Sequence, residues 1–381
     1  MPEKTDIVVA GHICCDMIPR FRKAGAKSPG DIFIPGKLVT VDELVVSTGG
    51  AVSNTGTGLA RMGASVELMA KVGDDPLGKI ILDKVTGEAG TAGIRTVKGE
   101  VSSYTMVLAP PGIDRIFLHN PGTNDTFGYD DLDFDIIKNA KVFHLGYPPI
   151  MKKLYSDNGP ELVKIFKKVK SLGVTASLDM VMVDPESEAG KADWDGILKK
   201  VLPHVDIFLP SFEEICFMLD RKRYNELMEK AGTGSMLDRA EIADFESLAD
   251  RCASYGAGIT GIKCAHLGFY AVKDGTRYFA PTFRAGRIAS AAGAGDCAIA
   301  GFLRAYLDNM TEPDMPRMLR CANAAGALNL RSYDAVEGIR DWSEVLELAG
   351  KKTAEMNAFN ITEPGWEFDS TERLWMRRTH N

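Results

Sequence analysis

The alternation of hydrophobic and polar positions along the chain predicts short buried strands separated by helices. Residues 7–10 form a fully apolar run that ends at Gly11, which is typical of a buried parallel strand. From about residue 140 onward apolar runs alternate with helical segments; the predicted strands are 141–145, 174–178, 207–209 and 258–263. Strict alternation of this kind predicts an α/β fold with a doubly wound, mostly parallel sheet and helices on both faces.

The first third of the chain adds a second, smaller group of predicted strands. Residues 103–108 and 116–119 flank the turn at 110–114, which indicates an antiparallel hairpin. In doubly wound sheets, ligands bind at the carboxyl ends of the strands. We therefore expect a small β-sheet lid over that crevice, built from about 31–48 and 100–125.

The remaining segments complete a prediction of one domain over residues 1–350. Helices are predicted at 51–61, 77–88, 291–307 and 318–330. Residues 351–381 are polar and aromatic, with no clear period. We interpret them as a C-terminal extension that wraps the surface or a partner subunit.

Composition and charge exclude several classes of protein. The chain has 381 residues, 45% of them hydrophobic, and a formal net charge of −7, so nucleic acid is not an expected partner. Its seven cysteines include no C-x-x-C pair, which favours reduced thiols over a disulfide framework or a zinc ribbon. No apolar run has the length of a signal sequence or a membrane span. We expect a cytoplasmic protein with no membrane partner.

The most informative stretch runs from Ser290 to Phe302. Its turn, Gly293-Ala294-Gly295, exposes backbone N–H groups at the start of a predicted helix, which forms a cradle for a phosphate group. Asp296 would face that phosphate. The alternative is an ordinary N-cap aspartate after a tight turn, and the local pattern favours neither interpretation. A dinucleotide-binding fingerprint fits less well, because the third glycine is missing.

Two further features suggest a ligand site. Gly49 and Gly50 allow a ligand to approach the backbone closely, and Asn54 offers a donor and an acceptor to hydroxyl groups. Asp16 lies just past the first predicted strand and could bind a polyol. Taken alone, the Gly49-Gly50 segment favours a simple glycine turn before a helix, and Asp16 could simply cap the next turn. Three histidines near strand ends share no metal-ligand spacing and are interpreted as structural residues: His12, His119 and His144.

Together, the order and spacing of these pieces resemble the ribokinase-like (PfkB) carbohydrate kinases over roughly residues 6–345. Five or more motifs in the right order carry the resemblance. In chain order they are Gly11 with Asp16, Gly49-Gly50 with Asn54, the segment 73–78, the Gly-x-x-Arg turn at 112–115, the block 293–296 with 300–302, and the helix around 321–325.

The resemblance implies an ATP-dependent kinase that phosphorylates a hydroxyl group of a sugar or a sugar-like molecule. Asp296 would take the proton from that hydroxyl, while Gly293, Ala294 and Gly295 would stabilise the transferring phosphate. Glu214 would organise Mg²⁺, through water. The implied acceptor-binding residues are Asp16, Gly49, Gly50 and Asn54, and the implied ATP-binding residues are Lys263, Ala265, Gly268 and Asn323.

The chain also departs from the family pattern. Ser290 replaces an aspartate that helps to build a monovalent-cation site, which leaves potassium activation open. Ser211 replaces the asparagine of the magnesium motif, and Ala265 replaces a glycine in the ATP loop, where a left-handed backbone would be strained.

Three alternative functions therefore stay open. They are a nucleoside kinase, a sugar or nucleotide sensor with weakened catalysis, and a nicotinamide dehydrogenase. The exposed edges of the small sheet also favour a homodimer formed through the lid.

Overall fold

The computed structural model describes residues 5–22, 28–111, 116–286, 288–332, 334–352, 354–357 and 359–378. The described residues form fifteen strands: β1 (Ile7–Gly11), β2 (Cys14–Phe21), β3 (Val41–Gly49), β4 (Val66–Gly73), β5 (Gly90–Val97), β6 (Tyr104–Leu108), β7 (Ile116–Asn120), β8 (Val142–Gly146), β9 (Thr175–Leu178), β10 (Ile207–Phe208), β11 (Ile259–Cys264), β12 (Gly268–Lys273), β13 (Thr276–Pro281), β14 (Glu367–Asp369) and β15 (Leu374–Arg378).

The same residues form twelve α-helices, and short 3₁₀ turns connect some of them. The helices are α1 (Ala51–Arg61), α2 (Pro76–Val85), α3 (Phe134–Ile137), α4 (Lys152–Tyr155), α5 (Pro160–Ser171), α6 (Trp194–Val201), α7 (Phe212–Leu219), α8 (Arg221–Ala231), α9 (Ile242–Ser254), α10 (Ala294–Asp308), α11 (Met315–Asn329) and α12 (Trp342–Gly350). No helix among these described segments is long and apolar enough to cross a membrane.

The main sheet has eleven strands in the order β14-β15-β13-β12-β11-β10-β9-β8-β1-β4-β5. Its pairs from β5 through β11 are parallel, and those from β11 to β14 are antiparallel. Val8 and Ala10 of β1 point into one core, and Ile7 and Val9 point into the other. Helices α5–α9 cover the first face, and α1, α2, α10, α11 and α12 cover the second. The predicted fold class is confirmed.

A separate four-stranded sheet has the order β3-β2-β6-β7. Strand β2 pairs antiparallel with β3 and parallel with β6, and β6 pairs antiparallel with β7. Strand β2 is not evident from the sequence, because its residues Cys14–Phe21 include Pro19 and lack a regular alternation. Through β2 the small sheet begins only three residues after β1 ends, so it lies at the carboxyl edge of the main sheet.

The antiparallel edge of the main sheet was not predicted either. Asp274 and Gly275 both have left-handed backbones, at φ 49° and 75°, and form the turn between β12 and β13. Residues beyond 350 form β14 and β15 and extend this edge, with β15 paired to β13. Trp366 is buried there and donates its indole N–H to Glu246, 3.1 Å away.

Candidate functional site

Polar side chains converge where the central parallel strands end. His12 follows β1, Tyr147 follows β8, Asp179 follows β9, and Lys263 lies near the end of β11. The amino-terminal turn of α10 closes the same space and carries Asp296. Because parallel strands present their carboxyl ends at one edge, residues distant in sequence meet in this crevice.

Asp296 is buried and held by two side chains. Asn54 of α1 donates its Nδ2 hydrogen to Oδ2 of Asp296 over 2.9 Å, and the hydroxyl of Tyr147 donates to Oδ1 over 2.7 Å. Burial raises the pKa of Asp296, while these two hydrogen bonds and the nearby Lys263 act in the opposite direction. Gly293 is the N-cap of α10, so the interpretation of Asp296 as an ordinary N-cap is wrong.

The turn before Asp296 is tightly constrained. Gly293 has φ 70°, and a Cβ atom there would lie 2.0 Å from the carbonyl oxygen of Ala335, so only glycine fits. Ala294 and Gly295 begin α10, and Gly295 is exposed to the crevice. A Cβ on Gly295 would lie 3.8 Å from Cδ of Lys263. The first N–H groups of α10 therefore lie beside a lysine side chain, an arrangement that attracts an anion.

Lys263 forms a buried ion pair with Asp179. The Nζ–Oδ1 distance is 2.5 Å, and the two side chains are 12% and 0% exposed. Burial opposes the charge on Lys263, but Asp179, Glu214 and Asp296 surround it and raise its pKa above the ordinary value. Lys263 is thus a fixed positive charge beside the turn of α10.

Asp16 lies on the small sheet. The thiol of Cys14 donates to its Oδ1 over 3.2 Å. A Cβ on Gly49 of the neighbouring strand would lie 2.3 Å from Oδ2 of Asp16, which explains the glycine there. Burial and, to a smaller extent, the nearby Asp334 raise the pKa of Asp16 to about 6, against hydrogen bonds from Cys14 and Thr105 that lower it. This carboxyl group therefore changes charge near neutral pH.

His12 lies between the two sheets. Its ring centroid is 5.2 Å from that of His119 and 6.1 Å from that of Tyr147. Gly50, with φ 90°, permits this approach, because a Cβ there would lie 2.4 Å from Nδ1 of His12. His12 is 2% exposed, and neither ring nitrogen has a partner among the described residues. Burial holds the pKa of His12 well below its usual range, so the ring is neutral.

The other residues singled out from the sequence lie around the end of β11 and in α7 and α11. Ala265 has φ 41°, the left-handed backbone expected from the glycine it replaces, and Gly268 has φ 132°. Asn323 is buried and donates to the carbonyl oxygens of Ala280 and Pro281, at 2.8 and 3.3 Å. The turn at 112–115 lies outside the described residues.

Glu214 and Ser211 form a capping box at the start of α7. The Ser211 N–H donates to Oε2 of Glu214 over 2.6 Å, and the Glu214 N–H donates to the serine hydroxyl over 3.3 Å. No group of three or more histidine, cysteine or acidic side chains with the geometry to hold a metal ion occurs in the described segments. A divalent ion here would need ligands from the substrate and from water.

Tyr147 and Asp179 were not predicted from the sequence as residues of this crevice; His12 was placed near a strand end that could face the site but was interpreted as a structural residue. Tyr147 has φ 67°, an uncommon left-handed conformation for a tyrosine, and it precedes Pro148. Its only sequence signal is its place directly after a buried strand that ends at Gly146. A polar residue at such a strand end is a candidate for the site by the carboxyl-edge rule alone.

The fold and this crevice define a ribokinase-like α/β protein. Superposition on the structure of Arabidopsis thaliana ribokinase complexed with ribose and ATP gives a TM-score of 0.69 at 19% sequence identity, and covers 91% of this chain and 98% of that one. This likeness shows the fold. Residues 4–342 match the family described as pfkB family carbohydrate kinase. The chain therefore belongs to the pfkB family of carbohydrate kinases.

Sequence similarity to relatives within the family extends over most of the chain. An uncharacterized sugar kinase of Archaeoglobus fulgidus is 27% identical over 283 residues, which is 74% of this chain and 98% of that protein. The probable fructokinase-4 of Arabidopsis thaliana is 22% identical over 361 residues, covering 91% and 97% of the two chains.

Proposed function

We propose that this protein transfers the terminal phosphoryl group of ATP to a hydroxyl group of a sugar or a sugar-like molecule, with Asp296 as the base. The observation that carries the proposal is the position of Asp296. This buried carboxylate is fixed by Asn54 and Tyr147 directly after the turn that begins α10, and it lies beside Lys263. In this position, Asp296 as a proton acceptor and the turn as a phosphate cradle lie within reach of the same hydroxyl group of an acceptor.

In the proposed reaction, the acceptor hydroxyl gives its proton to Asp296 as its oxygen bonds to the terminal phosphorus of ATP. The bond between that phosphorus and the bridging oxygen breaks, and ADP leaves with the electron pair. Backbone N–H groups of residues 293–295 and the charge of Lys263 stabilise the negative charge of the phosphoryl group in flight. A carboxylate suffices as the base, because phosphoryl transfer is loose and the proton leaves late.

The nucleotide would lie along the end of β11, against Lys263, Ala265 and Gly268, and Asn323 would hold the nearby end of β13 through the carbonyl oxygens of Ala280 and Pro281. Mg²⁺ would supply further charge neutralisation on the phosphates. Glu214 fits the water-mediated role, because it is buried beside the crevice and one carboxylate oxygen is already bound by the Ser211 N–H. The ribokinase fold neighbour is described as a complex with ribose and ATP, which supports both substrates.

The acceptor would lie between the sheets, where the small sheet would act as a lid. Asp16 and Asn54 would bind its hydroxyl groups, and Gly49 and Gly50 would leave room for it. Asn54 suits this role because its Oδ1 atom is buried without a partner among the described residues. The probable fructokinase among the relatives supports a sugar over a nucleoside.

The outer side of the small sheet supports a homodimer formed through the lid. Two large apolar side chains on it are strongly exposed: Leu44 (53%) and Leu118 (51%). Exposed apolar surface of this kind marks a contact area. Light scattering at several concentrations tests this arrangement, and Leu44→Glu is expected to convert a dimer into a monomer. A monomeric wild-type protein at all concentrations contradicts it.

The decisive experiment measures ADP release and product mass with ATP, Mg²⁺ and a panel of sugars, polyols and nucleosides. We expect turnover with a sugar or polyol and a loss of 10²- to 10⁴-fold in kcat for Asp296→Asn, the usual range for a general base. Asp314→Asn, at the exposed N-cap of α11, is the matched control and is expected to leave kcat unchanged.

Three other results would contradict this proposal or a part of it. Turnover confined to nucleosides indicates a nucleoside kinase. Ligands that raise the melting temperature without any turnover indicate a sensor. Full activity in Asp296→Asn contradicts the proposed base.

A further inference from the structure

One buried side chain connects the phosphate-binding turn to a second loop. Asn329, at the end of α11, is fully buried. Its Nδ2 group donates to the carbonyl oxygen of Ala292 over 2.9 Å and to the carbonyl oxygen of Ala335 over 2.9 Å. Ala292 directly precedes the turn at 293–295, and the carbonyl of Ala335 is the atom against which Gly293 is packed.

The second loop, residues 334–338, is anchored on three sides. Ser47 of the small sheet donates its hydroxyl to Asp334 over 2.7 Å. Arg61 of α1 donates to the carbonyl oxygen of Val336 over 3.1 Å. The N–H of Gly338 donates to Oδ1 of Asn329 over 3.3 Å, and a Cβ on that glycine would lie 2.3 Å from Cα of Asn329. Asn329 thus uses both ends of its amide group to fix the 334–338 loop to the turn.

The family resemblance raises the question of whether a monovalent cation binds here. A cation such as K⁺ would need several oxygen ligands, and backbone carbonyls beside the turn, such as those of Ala292 and Ala335, are the natural candidates. Both already accept hydrogens from the amide of Asn329. Ser290 supplies no carboxylate, and its hydroxyl accepts the N–H of Ala292 over 3.1 Å. An amide N–H aimed at these oxygens repels a cation, so the residues present do not fit one.

We propose that the amide group of Asn329 takes the place of a monovalent cation, so that this kinase holds its phosphate-binding turn without K⁺ or Na⁺. Two N–H donors pull two carbonyl oxygens together, as a shared cation between them would. Asn329 is a positioning residue, because it acts on the backbone N–H groups of residues 293–295 and does not itself touch the phosphate. The proposal rests on the proposed function, since the turn is assumed to hold the transferring phosphoryl group.

The first test uses the wild-type protein. Turnover is measured in KCl, NaCl and choline chloride at the same ionic strength, from metal-free stocks. We expect the three rates to agree within twofold. Activation of tenfold or more by K⁺ or Na⁺ over choline overturns the proposal, because a cation is then still required.

The second test replaces the donor by an acceptor. In Asn329→Asp, a carboxylate faces the carbonyl oxygens of Ala292 and Ala335, and this cluster of oxygens needs a cation. We expect kcat in choline chloride to fall at least tenfold, with little change in the KM of the acceptor, and K⁺ to restore much of it. The exposed Asn139→Asp is the matched control and is expected to respond to no cation. Equal activity of Asn329→Asp and wild type in choline chloride overturns the proposal.

A third measurement does not depend on turnover. The melting temperature of Asn329→Asp is expected to rise by several degrees in KCl relative to choline chloride, whereas that of the wild type stays the same. A wild type that shows no activity with any acceptor but has a cation-independent melting temperature contradicts the proposed function and leaves the Asn329 proposal standing. A melting temperature of the wild type that rises specifically with K⁺ overturns the Asn329 proposal, whatever the activity. If Asn329→Asp does not fold, the wild-type measurements still test whether the protein requires a monovalent cation.

Discussion

The polar side chains on the two walls of the crevice differ in whether they have partners within the protein. On the wall formed by the main sheet and α10, each charged group has a polar partner: Lys263 binds Asp179, and Asp296 accepts hydrogens from Asn54 and Tyr147. On the wall nearest the small sheet, both ring nitrogens of His12 lack partners among the described residues. The pKa of Asp16, on the small sheet, is raised to about 6.

This difference separates two tasks. Groups that bind each other are held in one geometry before any substrate arrives, as charge stabilisation in a reaction requires. Buried polar atoms without protein partners gain hydrogen bonds when a hydroxylated ligand enters. We therefore assign chemistry to the paired groups of the main-sheet wall, and recognition to the small-sheet wall together with the unpartnered Oδ1 atom of Asn54.

The largest expected effect comes from breaking the buried ion pair. Lys263→Met removes the cation that Asp179 binds and leaves a fully buried carboxyl group behind. We expect the free energy of unfolding to fall by about 3–5 kcal/mol, measured by urea denaturation. Lys222→Met, at a side chain that is 89% exposed, is the control and is expected to change it by less than about 0.5 kcal/mol.

A second variant identifies the cause of that loss. In Lys263→Met/Asp179→Leu neither member of the buried ion pair remains, so we expect most of the stability to return while turnover stays low. A double variant as unstable as Lys263→Met would show that packing of the lysine stem, and not its charge, stabilises this wall.

Tyr147→Phe removes one of the two hydrogen bonds to Asp296. A hydrogen bond to a charged group contributes about 1.5–3 kcal/mol, so we expect kcat/KM to fall about 10- to 100-fold. Because the hydroxyl of Tyr147 lowers the pKa of Asp296, its removal raises that pKa, and the acidic limb of the pH–rate profile moves to higher pH. Tyr155→Phe, whose ring packs on Trp194, is the control. An unshifted acidic limb contradicts a direct effect on the base.

These residues also show what the sequence could and could not predict. Asp296, Gly293 and Asn54 belong to local motifs whose residue types and spacing are visible in the chain, although Asn54 and Asp296 are 242 positions apart. Tyr147 belongs to no motif: its contact depends on the order of strands in the sheet and on one left-handed backbone angle. The role of Asn329 could not be predicted from the sequence either. The serine at position 290 indicates a change at a cation site, but it does not identify the group that replaces the cation.

For the fold, the parallel part of the sheet followed from apolar runs, whereas the antiparallel edge was overlooked. Asp274-Gly275 between two apolar runs is a strong hairpin signal, and it was present in the chain. Strand β2 was harder to predict, because it contains Pro19 and only two of its eight residues are fully buried. The pairing of β15 with β13 joins positions about a hundred residues apart, which no local pattern encodes.

On the small-sheet wall, Asp16 should make the affinity for the acceptor depend on pH. Only the ionised carboxylate accepts two hydroxyl hydrogens, so we expect the KM of the acceptor to rise about tenfold per pH unit below about 6. Asp16→Asn should have a higher KM at pH 8 and no such dependence. The KM of ATP is the internal control and should stay constant. A KM of the acceptor that is flat between pH 5 and 8 in the wild type contradicts this role.

The same group gives a stability signature. The pKa of Asp16 in the folded protein lies above the value of about 3.9 for an unfolded aspartate, so between these values the folded state binds more protons. Its contribution to stability is therefore present below that window and is lost as the pH rises through about 6. Asp16→Asn should make the unliganded protein more stable at pH 7 than the wild type, while binding the acceptor less well.

The smallest expected effect concerns the loop after Lys263. Ala265 has φ 41°, a conformation that costs a residue with a Cβ atom about 1–2 kcal/mol. Glycine removes this cost but loses about 0.4–1 kcal/mol through the greater freedom of the unfolded chain. Ala265→Gly should therefore stabilise the protein by about 0.5 kcal/mol in urea denaturation, without raising the KM of ATP. The same substitution in a helix, Ala253→Gly in α9, should destabilise it by about 1 kcal/mol. If Ala265→Gly is stabilising but raises the KM of ATP, the strained backbone itself positions the nucleotide, and the loop belongs with the preformed groups of the main-sheet wall.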